Sequence, residues 1–296
     1  MLEPYCDRRI KFSLEALLDR DAYTAPADTR AAAFASYLRN LAAITAQSPL
    51  GRALLRAAVL RGVSVGLDPL LEPNASYFYP QQNHFDLGFQ PDLLQKSEKG
   101  VSRYLVSFVA GLRRAWHLNS GLAPDVSLRA DDFLKFCRCA EADASAVTHL
   151  VAWELRSAGA GFMWRHLLSG SDGDMSVIFE RAIMEGMQKQ YDGYALKSAF
   201  NQWFAERERI AACDHVALEL IDMSLVQLGG PPYVGIRSLR ISSLQQLGSL
   251  PGGKNYLSGC LFMGGWYNTM DDEFNRTHLR HIERDIAQLI EKQHNN

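Results

Sequence analysis

The chain has little of what would mark it as secreted, membrane-bound or nucleic-acid-binding. No stretch reaches about 18 uninterrupted apolar residues, the length a helix needs to cross a bilayer. The most apolar run, YLSGCLFMGGWY at 256–267, is short and broken by glycine, so it reads as core. An excess of either charge is also missing, with 31 Lys+Arg against 33 Asp+Glu. A protein that meets phosphates carries a basic excess, so no nucleic-acid partner is expected. Cysteine is sparse: Cys6, Cys137, Cys139, Cys213 and Cys260 form an odd, scattered set without a C-x-x-C pair. That excludes a disulfide framework and a zinc knuckle. On a helix Cys137 and Cys139 diverge by about 200°, which favours two separate buried thiols. The first twenty residues carry charges where a signal peptide is apolar, and unpaired thiols suit a reducing compartment. The expectation is a cytoplasmic protein with no membrane partner.

Several catalytic signatures are absent as well. There is no G-x-S-x-G elbow and no G-x-x-x-x-G-K-[ST] phosphate loop. LGGPPYVG is glycine-rich, but its two prolines lack the N–H donors that cradle phosphate. Cys137 and His149 lie about 18 Å apart along one continuous helix, too far for a nucleophile and its base.

What is present is a soluble, globular composition, 47% hydrophobic and 22% charged over 296 residues. Such a chain buries enough apolar surface to fold without disulfides or a structural metal. Helices are expected over 11–21, over 29–46 with Asp28 as cap, and over 48–62. The last opens on Ser48-Pro49 and closes at Gly62. VSVGLDP, ASYFYP and HFDLGF are short β-branched or aromatic runs between turn residues, the pattern of strands, and YPQQNH has the length of a hairpin connection. Val101, Tyr104, Leu105, Phe108, Val109, Leu112 and Trp116 then mark a strong amphipathic helix. Further helices are expected over 130–158, 174–190, 195–227 and 271–293, with breaks at GGPPY (229–233) and LPGGKNY (250–256). The fold class is α+β, mostly helical, in a single domain over 1–296. A core over 40–170 holds the small sheet, and 171–296 form a helical C-terminal part.

The order helix, short strands, long helix, loop, long helix resembles the core of a zincin peptidase. In that architecture the helix after the sheet carries His-Glu-x-x-His, with two imidazoles on one face gripping zinc and a glutamate that takes a proton from metal-bound water. ASYFYPQQNHFDLGF resembles the hairpin before that helix in a bacterial family of metallopeptidase domains of unknown substrate, gluzincin-type in layout. The family's helix reads much like His-Glu-Leu-Arg-His-Ala-Trp-Gln; here residues 110–117 read Ala-Gly-Leu-Arg-Arg-Ala-Trp-His. CAEADASAVTHLVAWELRSAGAGFMWRHL, WFAERERIAACDHVALEL and LGSLPGGKNYL resemble later segments of the same family.

The resemblance implies a vestigial metal site at Ala110, Gly111, Arg114 and Glu141. Ala110 stands at the first ligand and has no lone pair. Gly111 stands at the general base and has no side chain. Arg114 stands at the second ligand and is a permanent cation that repels a metal. Glu141, at the third-ligand position, is the one carboxylate left. The expectation is therefore a catalytically inactive binding or scaffold protein with no metal, and an ion pair between Arg114 and Glu141. Its former cleft would take an extended peptide along a sheet edge, with HFDLGF as the edge strand.

Other readings stay open beside this one. Without the resemblance, Ala110 and Gly111 are small residues that let another element approach, and Glu141 and Asp143 are first-turn acids favoured by the helix dipole. A relocated zinc site at His117, Glu141 and His149 would make the chain an active metallohydrolase. His84 is a further nearby candidate ligand. His278 and His281 have ligand spacing but sit in a charged terminal helix that reads as solvated surface. A third reading gives the chain a structural role through its helical C-terminal half.

Overall fold

A computed structural model describes residues 11–19, 29–72, 75–88, 98–185, 193–227, 235, 237–262 and 270–294. The architecture is α+β and mostly helical, with one four-stranded mixed sheet. Contacts group the chain into two units. The first comprises Met1–Gly121, Ala146–Arg181 and Pro251–Gly253; the second comprises Leu122–Ser145, Ala182–Leu250 and Lys254–Asn296. Among the described residues no helix is long and apolar enough to cross a membrane.

The first unit holds the sheet. Strand β1 (Lys11–Ser13) leads into helix α1 (Leu14–Leu18), so the expected helix over 11–21 begins instead as a strand. Three residues are too few to carry a readable alternation, and β1 exists because it pairs antiparallel with a distant strand. Helix α2 (Thr29–Thr45) buries Ala31, Phe34, Ala35, Leu38, Leu41 and Ala42 at helical spacing. Asp28, its expected cap, lies outside the described residues. Helix α3 (Pro49–Leu60) starts as expected, with Ser48 Oγ accepting from Gly51 N–H at 2.9 Å. It ends in a Schellman motif: Val63 N–H bonds Ala58 C=O, Gly62 N–H bonds Val59 C=O, and Gly62 takes φ +66°. That turn delivers the chain directly into β2 (Ser64–Asp68).

Strand β3 (Ser76–Tyr79) turns at residues 80–83, where Asn83 has φ 47°, into β4 (His84–Gly88). The sheet order is β1-β2-β4-β3, with β2 and β4 parallel and both outer pairings antiparallel. HFDLGF is therefore not the edge: β4 is central, because β2 has no hairpin partner and takes β4 in register from Ser64↔His84 onward. Among the described residues the outer strands are β1 and β3. One sheet face carries Val65, Leu67, Phe78, Phe85 and Leu87; the other carries Ser64, Asp68, Tyr77, Tyr79, His84 and Asp86.

Helix α4 (Glu98–Asn119) packs its buried side, Tyr104, Leu105, Phe108 and Leu112 among others, in the core of this unit. Helix α5 (Ala130–Ser157) gives its last three turns to the first unit and its earlier turns to the second. It ends at Gly159 (φ +94°), as expected. Helices α6 (Phe162–Leu168) and α7 (Gly173–Met184) complete the first unit, and Trp153, Trp164 and Phe179 cluster there with ring centroids 5.0–6.2 Å apart. Sequence reading did not separate α6, which is only seven residues long.

In the second unit the helix expected over 195–227 is two, α8 (Tyr194–Trp203) and α9 (Arg207–Gln227). The break falls after Trp203 and Phe204, both buried with rings 5.0 Å apart. Short helix α10 (Ile241–Leu247) and terminal helix α11 (Glu273–His294) follow, the latter close to its expected span. Leu128, Phe133, Leu134, Leu218, Ile221, Ile282 and Ile286 form this unit's core. A buried bidentate pair ties α5 to α9: Arg138 Nε and Nη2 donate to the two carboxylate oxygens of Asp214 at 2.6 and 2.7 Å. LPGGKNY breaks the chain as expected, with Gly252 at φ +104° and Gly253 at +87°. GGPPY and residues 186–190 lie outside the described residues.

At the start of α3, Glu154 of α5 accepts from Ser48 Oγ and, at 2.9 Å, from Leu50 N–H. Burial raises the Glu154 carboxyl above its ordinary range, and those two donors only partly offset it. The folded state thus holds this proton more tightly than the unfolded chain. Its stabilising contribution is complete below the ordinary glutamate value and is lost as pH rises through the raised one. Glu154→Gln keeps both accepted bonds and removes the titration. Its stability relative to wild type, from urea unfolding, is expected to climb between about pH 4 and pH 7; a flat or falling difference contradicts this assignment.

Candidate functional site

The α4 positions singled out by sequence fall against the sheet. Gly111 is buried, and a Cβ built there would meet the Phe85 ring at 2.7 and 2.8 Å. Phe85 in turn lies 5.9 Å, centroid to centroid, from Phe108 one turn earlier on α4. The helix approaches β4 closely because position 111 has no side chain, and the aromatic ring fills the space into which one would project. Leu112 and Arg113 are also buried, Arg113 completely.

Arg114 lies half-buried one turn on. Its Nη1 donates to the Ser76 hydroxyl and, at 3.4 Å, to the Ser76 carbonyl of β3. A guanidinium has no lone pair for a metal, so at this position it acts as donor and clamp. Ala110, also half-buried, offers no ligating atom. A groove between α3 and α4, lined by Leu54, Ala58, Leu112, Ala115 and Trp116, does not include positions 110, 111 or 114.

Glu141 belongs to the second unit. It lies in mid-helix, so the reading of Glu141 and Asp143 as first-turn acids is overturned; Asp131 and Asp132 hold the first turn of α5. Glu141 faces two thiols, Cys137 one turn before it and Cys213 on α9. Burial first, and the Glu141 charge second, push both thiols up, so both are neutral at ordinary pH. Asp143 is fully buried and accepts from Tyr256 O–H at 2.6 Å.

The histidines proposed as alternative ligands are placed as follows. His117 is buried in the last turn of α4. His149 is fully buried, with its Nε2 3.4 Å from the Asp172 carbonyl and its ring edge-on to Trp164. His278 bonds Asp222, and His281 is exposed. Among the described residues no group of three or more His, Cys, Asp or Glu side chains is placed to hold a metal ion. Among the described residues, positions 110, 111 and 114 offer no ligating atom for a zinc centre.

Sequence reading missed one constellation. On the sheet face opposite Phe85, Ser64 Oγ lies 2.8 Å from His84 Nδ1, and His84 Nε2 lies 2.8 Å from Asp86 Oδ1. In the tautomer with hydrogen on Nε2, the ring donates to Asp86 and its Nδ1 accepts from the serine hydroxyl. His84 is 1% and Asp86 0% exposed, so the chain of bonds satisfies polar groups that would otherwise be costly to bury. His84-x-Asp86 on a strand was a visible signal, since residues two apart share a face. The serine was not visible, because it arrives through the parallel pairing of β2 with β4.

The comparison with protein families is specific: the model described as "Putative metallopeptidase family (DUF6782)" matches residues 16–258. This chain belongs to that family. No curated protein and no solved structure matches it.

The Gly111–Phe85 contact makes a prediction with a diagnostic sign. In an open helix, glycine to alanine gains about 1 kcal/mol. Here Gly111→Ala forces a methyl into the ring and is expected to cost about 1–3 kcal/mol in urea unfolding. A gain in stability would show that α4 does not approach β4 as described.

Proposed function

We propose that this chain is a zincin-like, catalytically silent member of its family that binds an extended peptide segment. The observation that carries the reading is the filled position of the general base: the space beside Gly111 is occupied by Phe85, so no carboxylate projects there to activate water. Arg114 supports it, because the guanidinium standing where the second imidazole is expected already engages Ser76. A divalent cation beside it would be repelled. Among the described residues no group of three His, Cys, Asp or Glu side chains is placed to hold zinc.

The binding half of the proposal rests on β3. Among the described residues no strand pairs with β3 on the side away from β4, and all four of its residues are half-buried. An edge of this kind can accept an added strand through main-chain bonds without any chemistry. The four described cysteines are free thiols, which suits action in the cytoplasm.

Protein purified without chelator is expected to carry far less than one zinc per chain by mass-spectrometric metal analysis. Cleavage of a mixed peptide library is expected to show no component abolished by chelation, while saturating strand-forming peptides slow amide exchange in β3. One zinc per chain, lost in His117→Ala or His149→Ala together with chelator-sensitive cleavage, would replace this reading with an active hydrolase using relocated ligands.

A further inference from the structure

The helices of the first unit are charged in one sense. No Asp or Glu stands between Asp28 and Asp68 or between Glu98 and Asp125, and these two stretches carry nine Lys and Arg. Helices α2 and α3, and all of α4 after Glu98, therefore have no carboxylate in a chain that holds 33 Asp+Glu. Arg52 and Arg56 are exposed on α3, and Arg61 is exposed at its C-cap. Arg52 Nε donates to the Ala46 carbonyl at 3.1 Å. Among the described residues neither Arg56 nor Arg61 meets a carboxylate.

Between α3 and α4 this basic surface is recessed. The groove there, about 210 Å³, has a buried apolar floor of Leu54, Ala58, Leu112 and Ala115. Leu60, 85% exposed, and Arg61 stand at its rim. The recess is preformed, because Asn83 latches the two helix ends together. Its Nδ2 donates to the Arg61 carbonyl at 2.6 Å, and its Oδ1 accepts from Asn119 Nδ2 at 3.2 Å. The carbonyls of Ala57, Ala58 and Val59 accept from the amides of Arg61, Gly62 and Val63, and the Ala115 carbonyl accepts from Asn119 Nδ2 at 2.9 Å. These last-turn acceptors are thus engaged within the chain, and the charge a partner meets at this end is the Arg61 guanidinium.

We propose that this groove receives an amphipathic helix of a partner protein, with an apolar side chain in the recess and carboxylates flanking it. Size selects the kind of occupant. A volume of about 210 Å³ falls short of the roughly 300–1,000 Å³ typical of small-molecule pockets. The α3 wall from Leu54 to Arg61 runs for about 10 Å, two turns, which matches anchors at i and i+4 of a helix laid in a groove. A flat lipid surface does not reach a floor whose residues are at most 5% exposed. Charge selects the partner's sign: carboxylates beside the anchor give Arg56 and Arg61 charge-assisted bonds that their own helices do not supply. The apolar floor and Leu60 leave water in the same step. This surface is separate from β3, so the inference goes beyond strand addition and does not depend on it.

The test uses the full chain and fluorescein-labelled, alanine-based helical peptides of about 20 residues. Each carries Leu at i and i+4, with Glu, Gln or Lys at the flanking positions, and binding is followed by anisotropy at low and high salt. The Glu helix is expected to bind about tenfold more tightly than the Gln helix and the Lys helix least, with the preference shrinking in high salt. Arg56→Glu combined with Arg61→Glu is expected to reverse the order, so that the Lys helix binds best. Ala57→Phe, which fills the half-buried lining position without changing charge, is expected to abolish binding of all three. Equal binding of the Glu and Gln helices to wild type would overturn the acidic preference, and this arm decides even if a variant fails to fold. Glu-helix binding untouched by Ala57→Phe would overturn the site, and absence of binding by every helix would overturn the whole proposal. Sedimentation of the chain with phosphatidylserine-containing vesicles, lost in the double arginine variant, would replace the partner helix with a membrane surface. Each of these failures leaves strand addition at β3 standing.

Discussion

The close approach of α4 to β4 at Gly111 is the constraint on which the rest depends. Phe85 fits against the helix because no Cβ stands between them. That fit brings Phe108 to the same ring and places Arg114, one turn later, within reach of Ser76 on the outer strand. Position 111 is thus a packing residue here, and a larger side chain would push the helix away from the sheet that positions Arg114.

The two faces of the sheet divide the work. One is apolar and receives the helix. The other carries the Ser64–His84–Asp86 chain, Asp68 and two tyrosines, with Tyr79 stacked over His84 at 6.0 Å. Ser64, His84 and Asp86 satisfy one another, which makes the register of β2 against β4 specific: a one-residue slip would separate Ser64 from His84. The second unit is held differently, by an aliphatic core and by the Arg138–Asp214 pair. Losing either partner of that pair would leave a buried charge uncompensated.

Local signals were the legible ones. Ser48-Pro49 and Gly62 bounded α3, Gly159 ended α5, and the spacing of Tyr104, Leu105, Phe108 and Leu112 announced α4, because caps, turns and helical faces are written within a few residues. The strands β2, β3 and β4 were legible as segments, but their order was not. Parallel pairing of β2 with β4 is non-local, so the mistaken edge strand and the unseen Ser64 partner share one cause. The break after Trp203 was hidden because aromatic and alanine residues continue the helical pattern across it. Positions 110, 111 and 114 on α4 were singled out through the family likeness; the Phe85 ring beside Gly111 and the Ser76 partner of Arg114 emerge only from tertiary packing.

The most direct measurement is an anomalous difference map at the zinc absorption edge, from crystals of the full chain grown with excess zinc. The account predicts no peak within coordination distance of residues 110, 111 or 114, and continuous density for Phe85 against Gly111. A zinc peak held beside Arg114, with Phe85 swung away from the helix, would contradict it.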